Sequence, residues 1–197
     1  MGTEAGSCDP QRPMRADARR NYERLVTTAR EVFTEQGPDA PLDDIARRAC
    51  VGAGTLYRHF PNREALIEAV YRGEIERLSD LAYELLKDRP PEDALAEWIR
   101  AQVSWVSSIR GLLAALKGVL DKDSESYAYC KTRLREAAGG LLDAAKADGR
   151  IRPDVEAADL LRLGHGLAVA ADLAPEAADR MVGIMIDGLK TGNSQKS

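Results

Sequence analysis

Apolar side chains recur at helical spacing along most of the chain. From Arg19 onward, Leu25, Ala29, Val32 and Phe33 fall at the i, i+4, i+7 and i+8 positions, with charged residues between them, as on the buried face of an amphipathic helix. A Gly-Pro pair then marks the end of this helix. No segment keeps the strict alternation of a half-buried strand. The pattern therefore predicts an all-α fold.

The later breaks in the pattern divide the chain into about nine helices. Two short helices are predicted at 42–49 and 53–60, separated by the turn Cys50-Val51-Gly52 and ended by a proline. A long helix follows from Arg63 to about Lys87 and stops before the sequence Arg-Pro-Pro. Further helices are predicted at 92–108, 109–120, 124–148, 154–172 and 175–190.

The two ends of the chain differ from the rest in composition. Residues 1–18 are polar and contain Gly, Ser and two Pro, which is typical of a disordered arm. Residues 192–197 are predicted to be a tail. Between them, residues 19–68 are predicted to form an N-terminal three-helix domain, and residues 69–191 a larger C-terminal helical domain.

Charge and cysteine usage exclude several classes of protein. The net charge is −4, yet residues 1–63 contain ten arginines and nine acidic residues, whereas residues 64–197 contain 18 basic and 23 acidic residues, so a neutral-to-basic head precedes an acidic body. The three cysteines, Cys8, Cys50 and Cys130, are spaced too widely for a zinc site, and the two histidines lie far apart. Neither a metal site nor a cofactor is predicted.

Residues 42–60 have the geometry of a helix-turn-helix unit, in which two short helices are joined by a three-residue turn. The small side chain of Ala46 suits the point where such helices cross, and the first helix of the chain would close the core through Val32 and Phe33. The predicted inward positions are Ile45, Ala46, Ala49, Val51, Leu56 and Phe60.

Polar side chains cover the outer side of the helix at 53–60. A recognition helix presents its N-terminal part to the major groove of DNA. Thr55 is suited to a base edge or a thymine methyl, Arg58 to guanine or phosphate, and Tyr57 and His59 to phosphate oxygens. Arg63 adds a phosphate contact, and the small residues at 52–54 let the backbone approach the DNA. The candidate DNA-binding residues are Gly52, Ala53, Gly54, Thr55, Tyr57, Arg58, His59 and Arg63.

The stretch LDDIARRACVGAGTLYRHFPNREALIEAV, together with the earlier run LVTTAREVFTEQG, resembles the DNA-binding region of the TetR family of bacterial repressors. The close resemblance covers about residues 20–70. It implies a homodimer of two-domain, nine-helix subunits, whose C-terminal domain binds a small molecule that lowers the affinity for DNA.

Two positions depart from the family pattern. Cys50 stands where the family usually has Gly, in a turn that often requires a positive φ, which costs a non-Gly residue about 1 kcal/mol. Leu42 stands where a Thr commonly caps the helix and touches phosphate, and a leucine can do neither. We expect Cys50 to be chemically inert and packed in the turn.

A stripe of large side chains crosses the C-terminal domain. Trp98, Gln102 and Trp105 fall at i, i+4 and i+7 on one helix, which fits either core packing or one wall of a ligand pocket inside a helical bundle. Tyr127 and His165 are further candidates for the same pocket. No cluster of charges indicates a charged ligand, so the expected ligand is a small apolar or mixed-polarity molecule.

The last two helices are rich in small and apolar residues, which suits close packing of helices. They fit a four-helix dimer interface between two copies of the chain, with an intramolecular core as the alternative. One predicted stripe consists of Leu160, Leu163, Gly164, Leu167 and Ala171, and the other of Met181, Ile184, Met185 and Leu189. The resemblance favours the homodimer.

These patterns together predict a DNA-binding transcriptional regulator in the cytoplasm, with no membrane span. The leading hypothesis is a homodimeric repressor that binds an inverted-repeat operator in double-stranded DNA and is released by a small-molecule ligand. The alternative is a regulator without such an inducer, controlled by a protein partner or by its own concentration. An enzyme is not expected, because the sequence has no nucleophile–base pair and no phosphate-binding Gly-rich loop.

Overall fold

The structure is a computed structural model that describes residues 11–109 and 125–191. Its described residues form eight α-helices and no strand, which confirms the all-α prediction. The helix predicted at 109–120 and the tail predicted at 192–197 fall outside the described residues, apart from Ile109. None of the described helices is both long and apolar enough to cross a membrane.

The chain forms two compact units, Met1–Val70 and Tyr71–Ser197. The first unit contains α1 (Gln11–Gln36), α2 (Leu42–Arg48), α3 (Ala53–His59) and the start of α4 (Arg63–Asp88). The second contains the rest of α4, then α5 (Pro91–Ser108), α6 (Glu125–Ala147), α7 (Ala157–Leu173) and α8 (Ala178–Leu189), with a short 3₁₀ turn at Pro175–Ala177.

Helix α1 begins earlier than the sequence pattern predicted. It includes residues 11–18, which were expected to belong to a disordered arm. Pro13 is the third residue of the helix, where a proline is tolerated because the first backbone N–H groups of a helix have no partner within it. Ion pairs between Arg20 and Asp17 and between Arg19 and Glu23 then join side chains on successive turns.

Apolar residues from all four helices fill the core of the first unit. Leu25, Ala29 and Val32 of α1 are fully buried, and burying a large apolar side chain stabilises the fold by about 1.5–3 kcal/mol. All six residues predicted to face inward in the helix-turn-helix unit are buried: Ile45, Ala46, Ala49, Val51, Leu56 and Phe60. The predicted inward face of this unit is therefore confirmed.

The second unit is a bundle built around α5. Helix α5 begins with a proline at its first position, where no helical hydrogen bond is lost. Helix α6 is followed by Gly149, whose φ of 69° is left-handed. The backbone N–H of Glu156 donates to the carboxylate of Asp159 at the start of α7 (3.0 Å). An isolated bridge between Ile151 and Lys190 ties the loop after α6 to the end of α8.

Candidate nucleic-acid interface and candidate ligand site

The turn between α2 and α3 depends on a left-handed residue. Cys50 has a φ of 52°, which confirms the positive φ expected there. Its N–H donates to Arg47 O (3.1 Å), and the N–H of Val51 donates to Ala46 O (2.9 Å); this pair of bonds is the Schellman motif that closes many helices. The Cys50 side chain is exposed, so the expectation that it packs in the turn was wrong: the left-handed backbone turns it towards solvent.

Helix α3 has one buried face and one exposed face. Leu56 is 0% exposed and Phe60 is 2% exposed, whereas Tyr57 is 48% exposed. Arg58 and residues 52–54 are exposed as well, and Thr55 is half-buried. The helix therefore presents its glycine-rich first turn, a phenol and a guanidinium on its outer side.

The arginines of the helix-turn-helix unit differ in whether they have partners. Arg47 pairs with Asp44 (2.8 Å), and Arg48 pairs with Glu35 (2.7 Å). Arg58 makes neither an ion pair nor a hydrogen bond within the described part of the chain. Of these three arginines, Arg58 is therefore the one whose charge is most available to an anion outside the chain.

Two of the predicted contact residues also serve the fold of the first unit. The half-buried ring of His59 lies edge-on to Tyr22 of α1, with 6.0 Å between the ring centroids. Arg63 donates from Nη1 to Pro38 O (2.7 Å) and to Ala40 O (2.6 Å), which holds the loop before α2. The observed role of Arg63 is thus structural, and its phosphate contact stays a prediction.

The caps of the two neighbouring helices differ. Asn62 Oδ1 accepts a hydrogen bond from the N–H of Ala65 (2.9 Å) at the start of α4, as a helix N-cap does. Helix α2 follows Pro41 and has no side-chain cap. The missing cap of α2 was predicted from the sequence, since leucine at the first position of that helix cannot act as a cap.

The five predicted ligand-binding residues do not converge on one place. Trp98 is fully buried, and its Nε1 donates to Leu78 O (2.8 Å), so it belongs to the core, the alternative that the sequence left open. The side chain of Gln102 lies between α5 and α7 and links the two helices, because its Nε2 donates to Leu161 O (3.3 Å). His165 is exposed on α7; its assignment to an interior pocket was wrong, because it lies on the side of α7 that faces away from the core.

Trp105 lies instead in a cluster that the sequence only partly predicted. Its ring is 6.1 Å from that of Tyr71, measured between centroids. Burial, together with the smaller effects of the nearby Cys130 and Tyr127, raises the pKa of the Tyr71 phenol to about 12. We call Tyr71, Trp105 and Tyr127 the aromatic cluster. The missed member, Tyr71, had a signal in the sequence, because it continues the apolar stripe of α4 four residues before Ile75.

The exposed apolar side chains of the second unit gather on α7 and α8. Leu173 is 87% exposed and Ile184 is 66% exposed, and Leu163 and Val169 are exposed as well. Leu163, Leu167, Ile184 and Met185 line part of an open groove of about 420 Å³. The predicted interface stripes were partly wrong: Leu160, Gly164, Ala171 and Leu189 point into the bundle's own core, because each stripe mixed the two faces of its helix.

Similarity to known proteins agrees with this architecture. Residues 25–70 match the family model of bacterial regulatory proteins, tetR family, and residues 90–191 match the model of the C-terminal domain of SbtR-like transcriptional regulators. The chain is a helix-turn-helix transcriptional regulator that binds DNA. It belongs to the TetR family.

Relatives match this chain over nearly its whole length. The HTH-type transcriptional regulator UidR of Escherichia coli K12 is 28% identical over 192 residues, which are 91% of this chain and 98% of UidR. The TetR regulator SCO0520 of Streptomyces coelicolor is 38% identical, with a TM-score of 0.75 over 87% of this chain and 99% of that one. A TetR regulatory protein of Mycobacterium vanbaalenii is 37% identical, with a TM-score of 0.74 over 91% of this chain and all (100%) of that one.

Proposed function

We propose that this regulator is a repressor that binds an inverted-repeat operator as a homodimer and is released by a small-molecule ligand. The observation that carries the DNA-binding part is the two-faced helix α3. Its Leu56 and Phe60 are sealed in the core while Tyr57 and Arg58 are exposed. A short helix with this arrangement, held by the turn at Cys50, is suited to the major groove.

The glycines at the start of α3 support a close approach of DNA. Neither Gly52 nor Gly54 has a positive φ, and a Cβ atom on either would meet no heavy atom within 4 Å. The fold of the chain itself therefore does not require glycine at these positions. A DNA backbone or base edge lying against the helix would require it, because only a residue without a side chain leaves room for both.

The exposed polar groups then divide between sequence recognition and positioning. Arg58 has a free guanidinium that can bond guanine or phosphate, and Thr55 can contact a base edge. Tyr57 and His59 are proposed to donate to phosphate oxygens, which fixes the register of the helix on the duplex. Arg63 is proposed to add a phosphate contact with the guanidinium nitrogens that the loop before α2 does not use.

Proteins of the TetR family function as dimers, and the exposed apolar face of α7 and α8 is the surface proposed for that contact. Leu163, Leu173 and Ile184 lose their water contact if a second copy covers this face, and each square ångström of apolar surface buried contributes about 25 cal/mol. The two α3 helices of such a dimer are proposed to enter successive major grooves about 34 Å apart.

Ligand control is proposed to act through the second unit. A ligand that prefers a dimer with the wrong separation of its α3 helices lowers the affinity for the operator, since only a difference in affinity between two states shifts their populations. Trp105 and Tyr127 are the predicted ligand residues that support this proposal. Trp98 and His165 are not part of it, and Gln102 supports the bundle instead.

The test of the DNA-binding part is a pair of variants measured by fluorescence anisotropy on a duplex selected from random sequence by the wild-type chain. Tyr57→Ala combined with Arg58→Ala should lower the affinity by at least about 30-fold, since contacts of this kind contribute about 1–3 kcal/mol each. Arg47→Ala is the matched control, because Arg47 is exposed on α2 but already paired with Asp44. Equal affinity of the double variant and the wild type would refute the assignment.

A further inference from the structure

The aromatic cluster contains a buried hydrogen-bond donor without an acceptor. Trp105 Nε1 is shielded from solvent, and within residues 11–109 and 125–191 it has no hydrogen-bond partner. Leaving a buried donor unpaired is unfavourable, because the N–H has lost its hydrogen bond to water. Trp98, the other tryptophan, shows the contrast, because its Nε1 donates to Leu78 O (2.8 Å). The unpaired N–H of Trp105 is therefore a place where an incoming acceptor would be stabilised.

The surroundings of Trp105 are aromatic and accessible in part. Trp105, Tyr71 and Tyr127 are each half-buried, so their rings retain surface that a ligand can cover. The rings of Tyr71 and Trp105 are inclined at 35° to each other. The Cys130 thiol beside them is buried. Flat apolar surface with one directional donor is the composition of a site for a small organic molecule.

The charges next to the cluster are already neutralised. Arg72 pairs with Glu76 (3.1 Å), and its guanidinium lies 4.5 Å from the centre of the Tyr129 ring. Both carboxylate oxygens of the buried Glu74 lie 2.6 Å from Nη2 of Arg77. The charges of Arg72, Glu74, Glu76 and Arg77 are thus paired with one another and leave no partner for an ionic ligand, and taking an unpaired ion into such a site is strongly unfavourable.

We propose that the aromatic cluster binds the ligand of this regulator, and that this ligand is an uncharged, partly aromatic molecule whose hydrogen-bond acceptor receives the N–H of Trp105. This inference rests on the ligand control proposed above and names the chemistry of the ligand. The phenol of Tyr71, in the same cluster, is protonated throughout the physiological range and therefore adds no charge to the site.

Three probes of similar shape test the inference on the full chain by ligand-observed saturation-transfer NMR. Acetophenone carries an acceptor, ethylbenzene lacks one, and benzoate carries a negative charge. The variant Trp105→Phe removes the N–H and keeps a ring. It should weaken acetophenone binding about 5-fold, the value of one hydrogen bond of about 1 kcal/mol. Ethylbenzene should change by less than about 2-fold, and benzoate should bind the wild type at least about 10-fold more weakly than acetophenone.

Trp98→Phe is the matched control, since it removes the other indole N–H outside the cluster and should leave acetophenone binding unchanged. If circular dichroism shows that this variant does not fold, Tyr83→Phe, a replacement of an exposed aromatic residue of α4, takes its place. Equal losses of acetophenone and ethylbenzene in Trp105→Phe would overturn the role of the N–H. Binding of benzoate as tight as that of acetophenone, or no binding of any probe, would overturn the inference as a whole.

Operator binding is measured separately, without probes. If the wild-type chain binds the operator, but Trp105→Phe does not weaken acetophenone binding more than ethylbenzene binding, this inference is overturned and DNA binding is left in place. A chain that shows this selectivity but binds no operator overturns the proposed function and leaves the ligand class standing.

Discussion

Gln102 of α5 occupies the space that a side chain at Gly164 of α7 would need. A Cβ atom on residue 164 would lie 2.4 Å from Gln102 Oε1 and 2.8 Å from its Cδ. Gln102 is 2% exposed, and its Nε2 is bonded to Leu161 O at 3.3 Å, so it has little room to withdraw. The close packing of α5 against α7 therefore depends on the missing side chain at position 164.

Gly164→Ala should consequently destabilise the chain by about 1–3 kcal/mol, as overpacked cores do. The same substitution should be neutral or stabilising by up to about 1 kcal/mol when Gln102 is alanine, because alanine is the better helix former. Urea unfolding at one fixed protein concentration measures both values. Gly140→Ala on the exposed side of α6, where a Cβ meets nothing, is the control. The same cost in both backgrounds would show that Gln102 is not the obstacle.

Cys50→Gly should stabilise the chain. The left-handed backbone at this position, with φ at 52°, costs a non-Gly residue about 1 kcal/mol, although the freer unfolded chain of the glycine variant offsets part of the gain. We expect a net increase in the free energy of unfolding of about 0.5 kcal/mol relative to Cys50→Ala, which keeps the strain and removes the thiol. A glycine variant less stable than the alanine variant would contradict this account of the turn.

Gly54→Ala should separate DNA binding from folding. The added methyl group meets nothing in the chain, so the free energy of unfolding should stay equal or rise by up to about 1 kcal/mol. Affinity for the selected duplex should fall at least about 10-fold, because the methyl group holds α3 away from the groove. Thermal melts and anisotropy on the same samples give both numbers, and unchanged affinity would argue against a close approach at this end of α3.

Arg63→Ala tests the two roles of this residue. The loss of its bonds to Pro38 O and Ala40 O should lower the free energy of unfolding by about 1.5–3 kcal/mol, the range for hydrogen bonds made by a charged group. If Arg63 also contacts a phosphate, the slope of log affinity against log salt should fall by about 1. Arg48→Ala, which removes an exposed ion pair, should change stability by less than about 1 kcal/mol.

Stability should fall in alkaline solution because of Tyr71. Its pKa is about 12 in the folded chain and about 10 when unfolded, so the protonated phenol is favoured by folding. This contribution is complete below pH 10 and is lost as the pH rises towards 12. Between pH 9 and pH 11 the wild type should lose about 1 kcal/mol more than Tyr71→Phe does. Equal losses in urea unfolding would mean that the phenol is not buried.

The helix-turn-helix unit could be predicted closely because its contacts are local. Leu56 of α3 and Phe60, which directly follows this helix, lie one turn apart, and both are buried. The left-handed residue at position 50 could be expected from the resemblance to the TetR family, which usually has a glycine there. The structural bonds of Arg63 could not, because their acceptors lie more than 20 residues earlier in a loop without a pattern of its own.

The spacing of apolar residues by itself determined the helices, the buried face of α3 and the outward position of Tyr57 and Arg58, since burial of one side of a helix is a periodic property of the chain. Only the tertiary structure decided which helix each face meets. Periodicity shows that Trp98, Gln102 and Trp105 share one stripe of α5. In the structure Trp98 lies in the core, Gln102 lies against Gly164, and Trp105 lies beside Tyr71. These different surroundings depend on the packing of helices that are distant in sequence.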